Sequence, residues 1–441
     1  MRLLKFIFLL SIVPNFVNSA CNFKSGNYIK ELANPKYIQS INITVPKSSN
    51  YVKNFLRIIT VPTQNIPPEL KIKFKASITV NYSFGYCTFP GTIKQMGDWR
   101  DHIDFNDNGA PVRSLNVTLN NGNILNAVKF KLLLPETRND LNEVLGAVLL
   151  SEIGFITPET FQVNTVVNNV EAIMLFQEDA QKEMLERNNR REGPIFEGDE
   201  TLLWSYQDYE TFELSEFALA RMMNKNWFLK GLSSEAISLN AFAALQKELL
   251  RSNYGFDTRN IYPNEKRDKA FHEYFLILLS MNGLHGLSGH NRRYYFNSFT
   301  NVFEPIYYDG DLDLKKPFIF KDNLIDFSKF SKNFNFQNKF SQLKSNAALL
   351  GRFKDRTVRS DQMAEIFFTQ ALSNLEQNLT EILNVVALKL RDSENYSPND
   401  QSALVKQYLK SQDKFSLEQI VIFKLEEKND NYIGYSATGR S

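Results

Sequence analysis

Between Tyr37 and Phe176 apolar residues return at every second position in run after run, and beyond Glu200 they return at every third or fourth. A chain written this way makes strands first and helices afterwards. The alternating runs are Ile38–Val45, Leu56–Val61, Leu70–Ala76, Ser114–Leu119, Ala127–Leu134, Phe161–Val166 and Val170–Phe176. Pro46, Pro62, Pro67 and Pro68 mark loops between them. Asn120-Asn121-Gly122-Asn123 predicts a hairpin turn, and Asn168-Asn169 a second one. One helix interrupts the strands, from about Asp140 to Ile153, with Asn139 as its cap and Gly154 as its stop. Gly193 to Glu200 reads as a linker, and the helical periods that follow cover Glu213–Met223, Ala236–Arg251, Lys269–Met281 and Gln362–Leu390.

The balance of charge narrows the function. The formal net charge is +2, and no basic block or stripe stands out, which argues against a nucleic-acid partner. The first 20 residues predict a secretory leader. Arg2 and Lys5 supply the positive start, Phe6 to Val13 an apolar stretch too short to span a bilayer, and Asn18-Ser19-Ala20 the small residues for cleavage. An exported chain with no integral span after leader removal is expected. Its two cysteines, Cys21 and Cys87, could then be bridged or free, and Cys21 could carry a lipid.

The chemistry concentrates in two places. Lys129 and Lys131 share one face of a strand, and Glu143 lies on the helix that follows. In kinase-type phosphoryl transfer a strand lysine holds phosphates and a helix glutamate orients it; the plainer reading is a solvated lysine face. Farther on, Met281 to Asp313 carries a Gly-rich loop with His285 and His290, then Asn291, a hairpin, and the alternating Asp309, Asp311 and Asp313. An asparagine before a hairpin and an aspartate after it are the metal-holding pair of such an enzyme. The base that accepts the hydroxyl proton would stand five residues before Asn291, where this chain has Gly286. If that absence is the sole defect, Gly286→Asp restores a base. Gly97-Asp98-Trp99-Arg100-Asp101-His102 reads either as a charged turn around a half-buried Trp or as a phosphate-facing loop. An EF-hand fails because Phe320 stands where a bidentate Glu belongs. A zinc site from His285 and His290 lacks a third ligand nearby, and Gly-x-Ser-x-Gly is absent.

Lys129-Phe130-Lys131-Leu132, Asn142-Glu143-Val144-Leu145, Phe176-Gln177-Glu178, His290-Asn291 and Glu304-Pro305-Ile306-Tyr307-Tyr308-Asp309-Gly310-Asp311 together resemble the CotH kinase family of secreted and spore-coat atypical kinases. The resemblance covers about two-fifths of the chain, from Ala127 to Asp311. It implies an α+β chain with a divergent two-lobed, protein-kinase-like fold. The expected division is a leader over 1–20, an added N-terminal β-rich region over 21–110, a small lobe over 111–198 and a mostly helical large lobe over 199–441. It implies ATP bound by Lys129, Lys131, Glu143 and Glu178, and Mg2+ or Mn2+ held by Asn291, Asp309 and Asp311. His290 and Asn291 would form the catalytic loop, and a secreted or surface protein would accept phosphate. Because of Gly286 the alternative is a catalytically impaired pseudokinase that acts as an extracytoplasmic binding or envelope structural protein. The leader gives the first measurable expectation. Intact-mass analysis of secreted material should find a chain beginning at Ala20 or Cys21, and a chain beginning at Met1 in a membrane fraction would contradict it.

Overall fold

The computed structural model describes residues 20–199, 219–251, 265–287, 291–318, 336–395, 422–428, 431–436 and 439–440. The expected leader, apart from Ala20, lies outside them. Alternating residues in the first half do become strands: β1 (Ala20–Phe23), β2 (Ile38–Thr44), β3 (Phe74–Tyr82), β4 (Gly85–Gln95), β5 (Ile103–Phe105), β6 (Pro111–Arg113), β7 (Leu115–Leu119), β8 (Lys129–Leu133), β9 (Thr160–Val167) and β10 (Val170–Glu178). Four later strands, β11 (Ile195–Asp199), β12 (Leu219–Met222), β13 (Arg293–Asn297) and β14 (Val302–Ile306), form a second sheet in the order β12-β11-β13-β14.

The first sheet overturns the two-lobed, protein-kinase-like fold. Its order β4-β3-β2-β9-β10-β8-β7 is closed by pairing of β4 with β7, which makes a seven-stranded β-barrel. Strands from the expected N-terminal region and from the expected small lobe share this one closed sheet. Two non-local pairings make the difference. Ser40 to Ile43 of β2 run parallel to Asn164 to Val167 of β9, and Gly91 to Gln95 of β4 run antiparallel to Leu115 to Leu119 of β7. Closure removes both free edges of the sheet, so their backbone N–H and C=O groups are satisfied within the barrel.

Inward residues of each strand fill the interior. Phe130, Phe161 and Phe176 stack there, with ring centroids 4.5 and 4.6 Å apart across β8, β10 and β9. Ile41, Ile78, Val80 and Leu132 are fully buried beside them. β1 extends the outside of the barrel along the first half of β4, and Cys21, opposite Cys87 in register, is disulfide-bonded to it.

The outer face of β8 and β10 is covered by helices. Leu133 and Leu175 pack outward into a core with the helices Leu141–Glu152, Glu265–Ser280 and Asp361–Asn395. The middle of these three ends, as expected, just before Asn282 and Gly283. Three other local readings fail. The expected helix over Glu213–Met223 ends, where it is described, in strand β12 (Leu219–Met222), which pairs with β11. The run Leu56–Val61 belongs largely to the helix Ser48–Ile59, because Tyr51, Phe55 and Ile58 return at helical spacing and Phe55 and Ile58 are buried. Gly193 to Glu200 is no linker, since β11 lies within it and pairs with β12 and β13.

The barrel seam yields a prediction. Gly91 lies where β4 pairs with both β3 and β7, and a Cβ there would sit 2.5 Å from the Thr118 carbonyl oxygen and 2.6 Å from Ile78 Cδ1. Gly91→Ala should therefore lower the unfolding free energy in urea by about 1–3 kcal/mol. A loss below about 0.5 kcal/mol, the size of an ordinary surface change, would mean that the seam yields freely.

Candidate functional site

β8 alternates strictly. Phe130 and Leu132 enter the barrel, and Lys129, Lys131 and Leu133 face outward. Opposite Lys131 in register stands Gln177 of β10, and opposite Phe130 stands Glu178. Of the residues near the end of β10, it is therefore Gln177 that shares a face with Lys131. Glu178 lies on the other side, where Arg187 binds it at 2.5 Å and the Glu159 amide donates to it at 3.1 Å. Lys129 is half-buried on the outer face, and its carbonyl accepts the Asp179 amide at 3.0 Å.

Lys131 is buried with its ammonium 4.4 Å from the centroid of the Tyr308 ring and 4.0 Å from the Asp179 carboxylate. Two arginines join it at the same ring. The Arg293 guanidinium, from the start of β13, lies 3.2 Å over Tyr308, and that of Arg138, from the 3-10 turn after β8, lies 5.9 Å away. Each cation has an acidic partner. Arg293 makes bonds of 2.9 and 3.0 Å to Glu197, and Arg138 an ion pair of 2.9 Å to Asp309. Burial works against an ionised Asp309, but Arg138 and then His285, 3.7 Å away, outweigh it and bring its pKa to about 2. Burial likewise opposes ionisation of Asp179, and Lys131, Arg293 and Lys129 hold its pKa below the usual carboxylate range.

Glu143 is fully buried but does not contact Lys131 through any ion pair. It accepts from the Tyr307 hydroxyl at 2.5 Å and from the Gln177 amide at 2.8 Å. Burial pushes its pKa up to about 7, against the pull of Tyr307 and Arg138. His102 also reaches this region. Burial first, and Arg138 next, depress its pKa to about 4, while Asp309 acts in the other direction. His102 Nδ1, Arg138 Nε and Gln177 Oε1 are all buried with no hydrogen-bond partner among the described residues.

The loop after β14 is fixed by packing. Leu312 is fully buried, and its methyl groups lie against Gly146, Gly283 and Gly310, each of which would clash with Leu312 if it carried a Cβ. Asn139 binds Asp311 Oδ1 at 2.7 Å and the Leu312 carbonyl at 3.1 Å. Asn142 accepts the Leu314 amide at 2.8 Å, and Asn282 donates to the Asp313 carbonyl at 2.9 Å. Asp309 and Asp311 both have φ of +47°, which turns Asp309 inward to Arg138 while Asp311 stays exposed.

Of the residues singled out by sequence, Lys131, Glu143 and Asp309 come together. Asn291 is buried, and its amide donates to the His285 carbonyl at 3.1 Å. His290 lies outside the described residues. Glu178 belongs to a separate ion-pair network, and Asp311 to the exposed edge of the loop. Gly286 packs its backbone on the same loop, and a Cβ there would lie 3.1 Å from both the Gly310 Cα and the Tyr308 carbonyl. An aspartate at this position would need the Tyr308–Gly310 backbone to give by a few tenths of an ångström. Arg138, Asp179, Arg293 and Tyr308 carry no role in the sequence pattern. Their signal was adjacency: Arg138 follows Pro135 at the end of the lysine strand, and Arg293 follows Asn291 at the start of the hairpin. Among the described residues no three His, Cys, Asp or Glu side chains cluster as a metal site, and no helix is long and apolar enough to cross a membrane. No protein-family model and no curated protein matches the chain.

Glu143 makes the site pH-sensitive in a direction opposite to most carboxylates. Between its ordinary 4.5 and about 7 the folded chain holds a proton that the unfolded chain has released. That contribution to stability is present below about 4.5 and lost as pH rises through about 7. Glu143→Gln keeps hydrogen-bonding capacity and cannot ionise. Urea unfolding at pH 5 and pH 8 should show a larger loss for the parent than for Glu143→Gln; equal losses would mean that Glu143 ionises as a free carboxyl does.

Proposed function

We propose that this chain is an exported protein that binds ATP with Mg2+ or Mn2+ at the Tyr308 cluster, and that it acts by binding, with a secreted or surface protein as its partner. The observation that carries this reading is the convergence of Lys131, Arg138 and Arg293 on one aromatic ring in a buried setting. Each cation already faces a carboxylate, Asp179, Asp309 or Glu197, and guanidinium and ammonium groups grouped this way are suited to phosphate oxygens as a further ligand. The unpartnered Arg138 Nε supplies a further donor there. ATP, among phosphate-bearing ligands, is named from the resemblance to the CotH kinase family.

The oxygen donors suit a hard cation. Asp309 Oδ2 is committed to Arg138 and His285, and Asn291 commits its amide N–H to a carbonyl. The second Asp309 oxygen and the Asn291 amide oxygen would be the residues' contribution to Mg2+ or Mn2+, which when bound neutralises phosphate charge. Asp311, tied to Asn139 at the loop's exposed edge, contributes less. Binding is favoured over phosphate transfer because Gly286 offers no proton acceptor and Asp309 is held ionised in an ion pair with Arg138. The disulfide between Cys21 and Cys87 supports an oxidising compartment.

A thermal-shift assay tests the reading. ATP with Mg2+ at a hundredfold excess over Kd should stabilise the parent by about 2.7 kcal/mol. Lys131→Met should fold and lose most of that shift. Absence of any shift in the parent, or an undiminished shift in Lys131→Met, would remove the site from Tyr308.

A further inference from the structure

The cations at Tyr308 are not isolated on the barrel. Lys94 of β4 pairs in register with Asn116 of β7, Asn116 pairs with Lys131 of β8, and Lys131 pairs with Gln177 of β10. Each member of this row points outward, because its neighbours Ile93, Leu115, Val117, Phe130, Leu132 and Phe176 lie in the barrel interior. Lys94 and Lys131 are thus two strand spacings apart, roughly 10 Å between backbones, on one face. Asn116 lies between them and brings no charge.

Further cations gather at the Lys94 end. Phe74 of β3 pairs in register with Ile93, so Lys73, the residue before it, stands across from Lys94, and burial together with the charges of Lys73 and Lys71 lowers the Lys94 pKa. Lys71 is ion-paired with Asp98. Lys73, Lys94 and Lys129 form no ion pair among the described residues. The acidic groups facing Lys94 are Asp179 and Asp98, and Asp179 also answers to Lys131, Arg293 and Lys129. One carboxylate is therefore shared among several cations, and positive charge is left over along the row.

We propose that the site at Tyr308 is the inner end of a cationic strip, Lys131 to Lys94 to Lys73, that takes a chain of linked phosphates. The inference deepens the nucleotide reading and rests on it: it names the part of the ligand that is recognised. A single phosphate fills the inner end among Lys131, Arg138 and Arg293. A triphosphate continues outward past Asn116, whose side chain is neutral and does not repel it, to Lys94. The chemistry is common to inorganic tripolyphosphate and to the triphosphate of a nucleotide.

Calorimetric titration with inorganic phosphate, tripolyphosphate and Mg2+-free ATP tests the strip, on the parent, Lys94→Gln, Lys73→Gln and Lys131→Met. Tripolyphosphate should bind the parent far more tightly than phosphate. Lys94→Gln should weaken tripolyphosphate and ATP about tenfold, as loss of a charge-assisted contact does, and leave phosphate within about twofold of the parent. Lys73→Gln should do the same to a smaller extent. Equal affinity for ATP and tripolyphosphate supports recognition of the phosphate chain alone. Tighter ATP binding, still lowered by Lys94→Gln, supports the strip with added contacts to the nucleoside. If Lys131→Met abolishes binding but Lys94→Gln changes nothing while its urea midpoint matches the parent, the strip is overturned and the inner site stands. If the parent binds none of the three ligands, both are overturned.

Discussion

Three cations held out of water against one tyrosine ring set the terms for the rest of the molecule. Removing a guanidinium or ammonium group from solvent costs several kcal/mol unless a charge and good hydrogen bonds replace the lost hydration. No single element supplies them here. Arg138, just beyond a barrel strand, is answered by Asp309 from the loop after β14. Arg293 at the start of β13 is answered by Glu197 on β11. Lys131 on the barrel is answered by Asp179 beyond β10. Each pairing ties one part of the chain to another, so the barrel wall, the second sheet and the loop after β14 meet where the charge is buried.

Such a cluster works only if its members are held in place, and the anchoring is apolar and amide-based. Leu312 wedges into the space left by Gly146, Gly283 and Gly310, and Asn139, Asn142 and Asn282 bind the backbone and side-chain groups around it. The positive φ at Asp309 is the local cost of turning its carboxylate inward. Tyr307 and Tyr308, adjacent residues just past β14, then take different partners. Tyr307 holds Glu143, whose burial favours the neutral form, and Tyr308 receives the cations. A neutral Glu143 does not spend the charge of Arg138, which stays available to Asp309.

Local patterns in the sequence announced β2, β7 to β10, the helix Leu141–Glu152 and the hairpin of β13 and β14, and they brought Lys131, Glu143 and Asp309 to notice. They could not announce the barrel. Its closure depends on β2 meeting β9 and β4 meeting β7, and period-two alternation is the same whether a sheet closes or stays open. The preference for Glu178 over Gln177 shows how little error is tolerated, because one residue along a strand exchanges its two faces. Arg138 and Arg293 were passed over because an arginine in sequence resembles any solvated arginine. Only the fold reveals that both lie against Tyr308.

Gly286 lies where the chemistry and the packing of the site meet. Read as chemistry, it is the place where a base is missing. Read as packing, it lets the 3-10 turn His285–Leu287 approach the backbone of Tyr308, Asp309 and Gly310 closely enough for a Cβ to be unwelcome. That approach sets His285 beside Asp309, where it adds to the charge that keeps the carboxylate ionised. A side chain at this position would need the turn or the facing backbone to give by a few tenths of an ångström. The same glycine therefore offers no proton acceptor and lets the turn close on the charged cluster around Asp309.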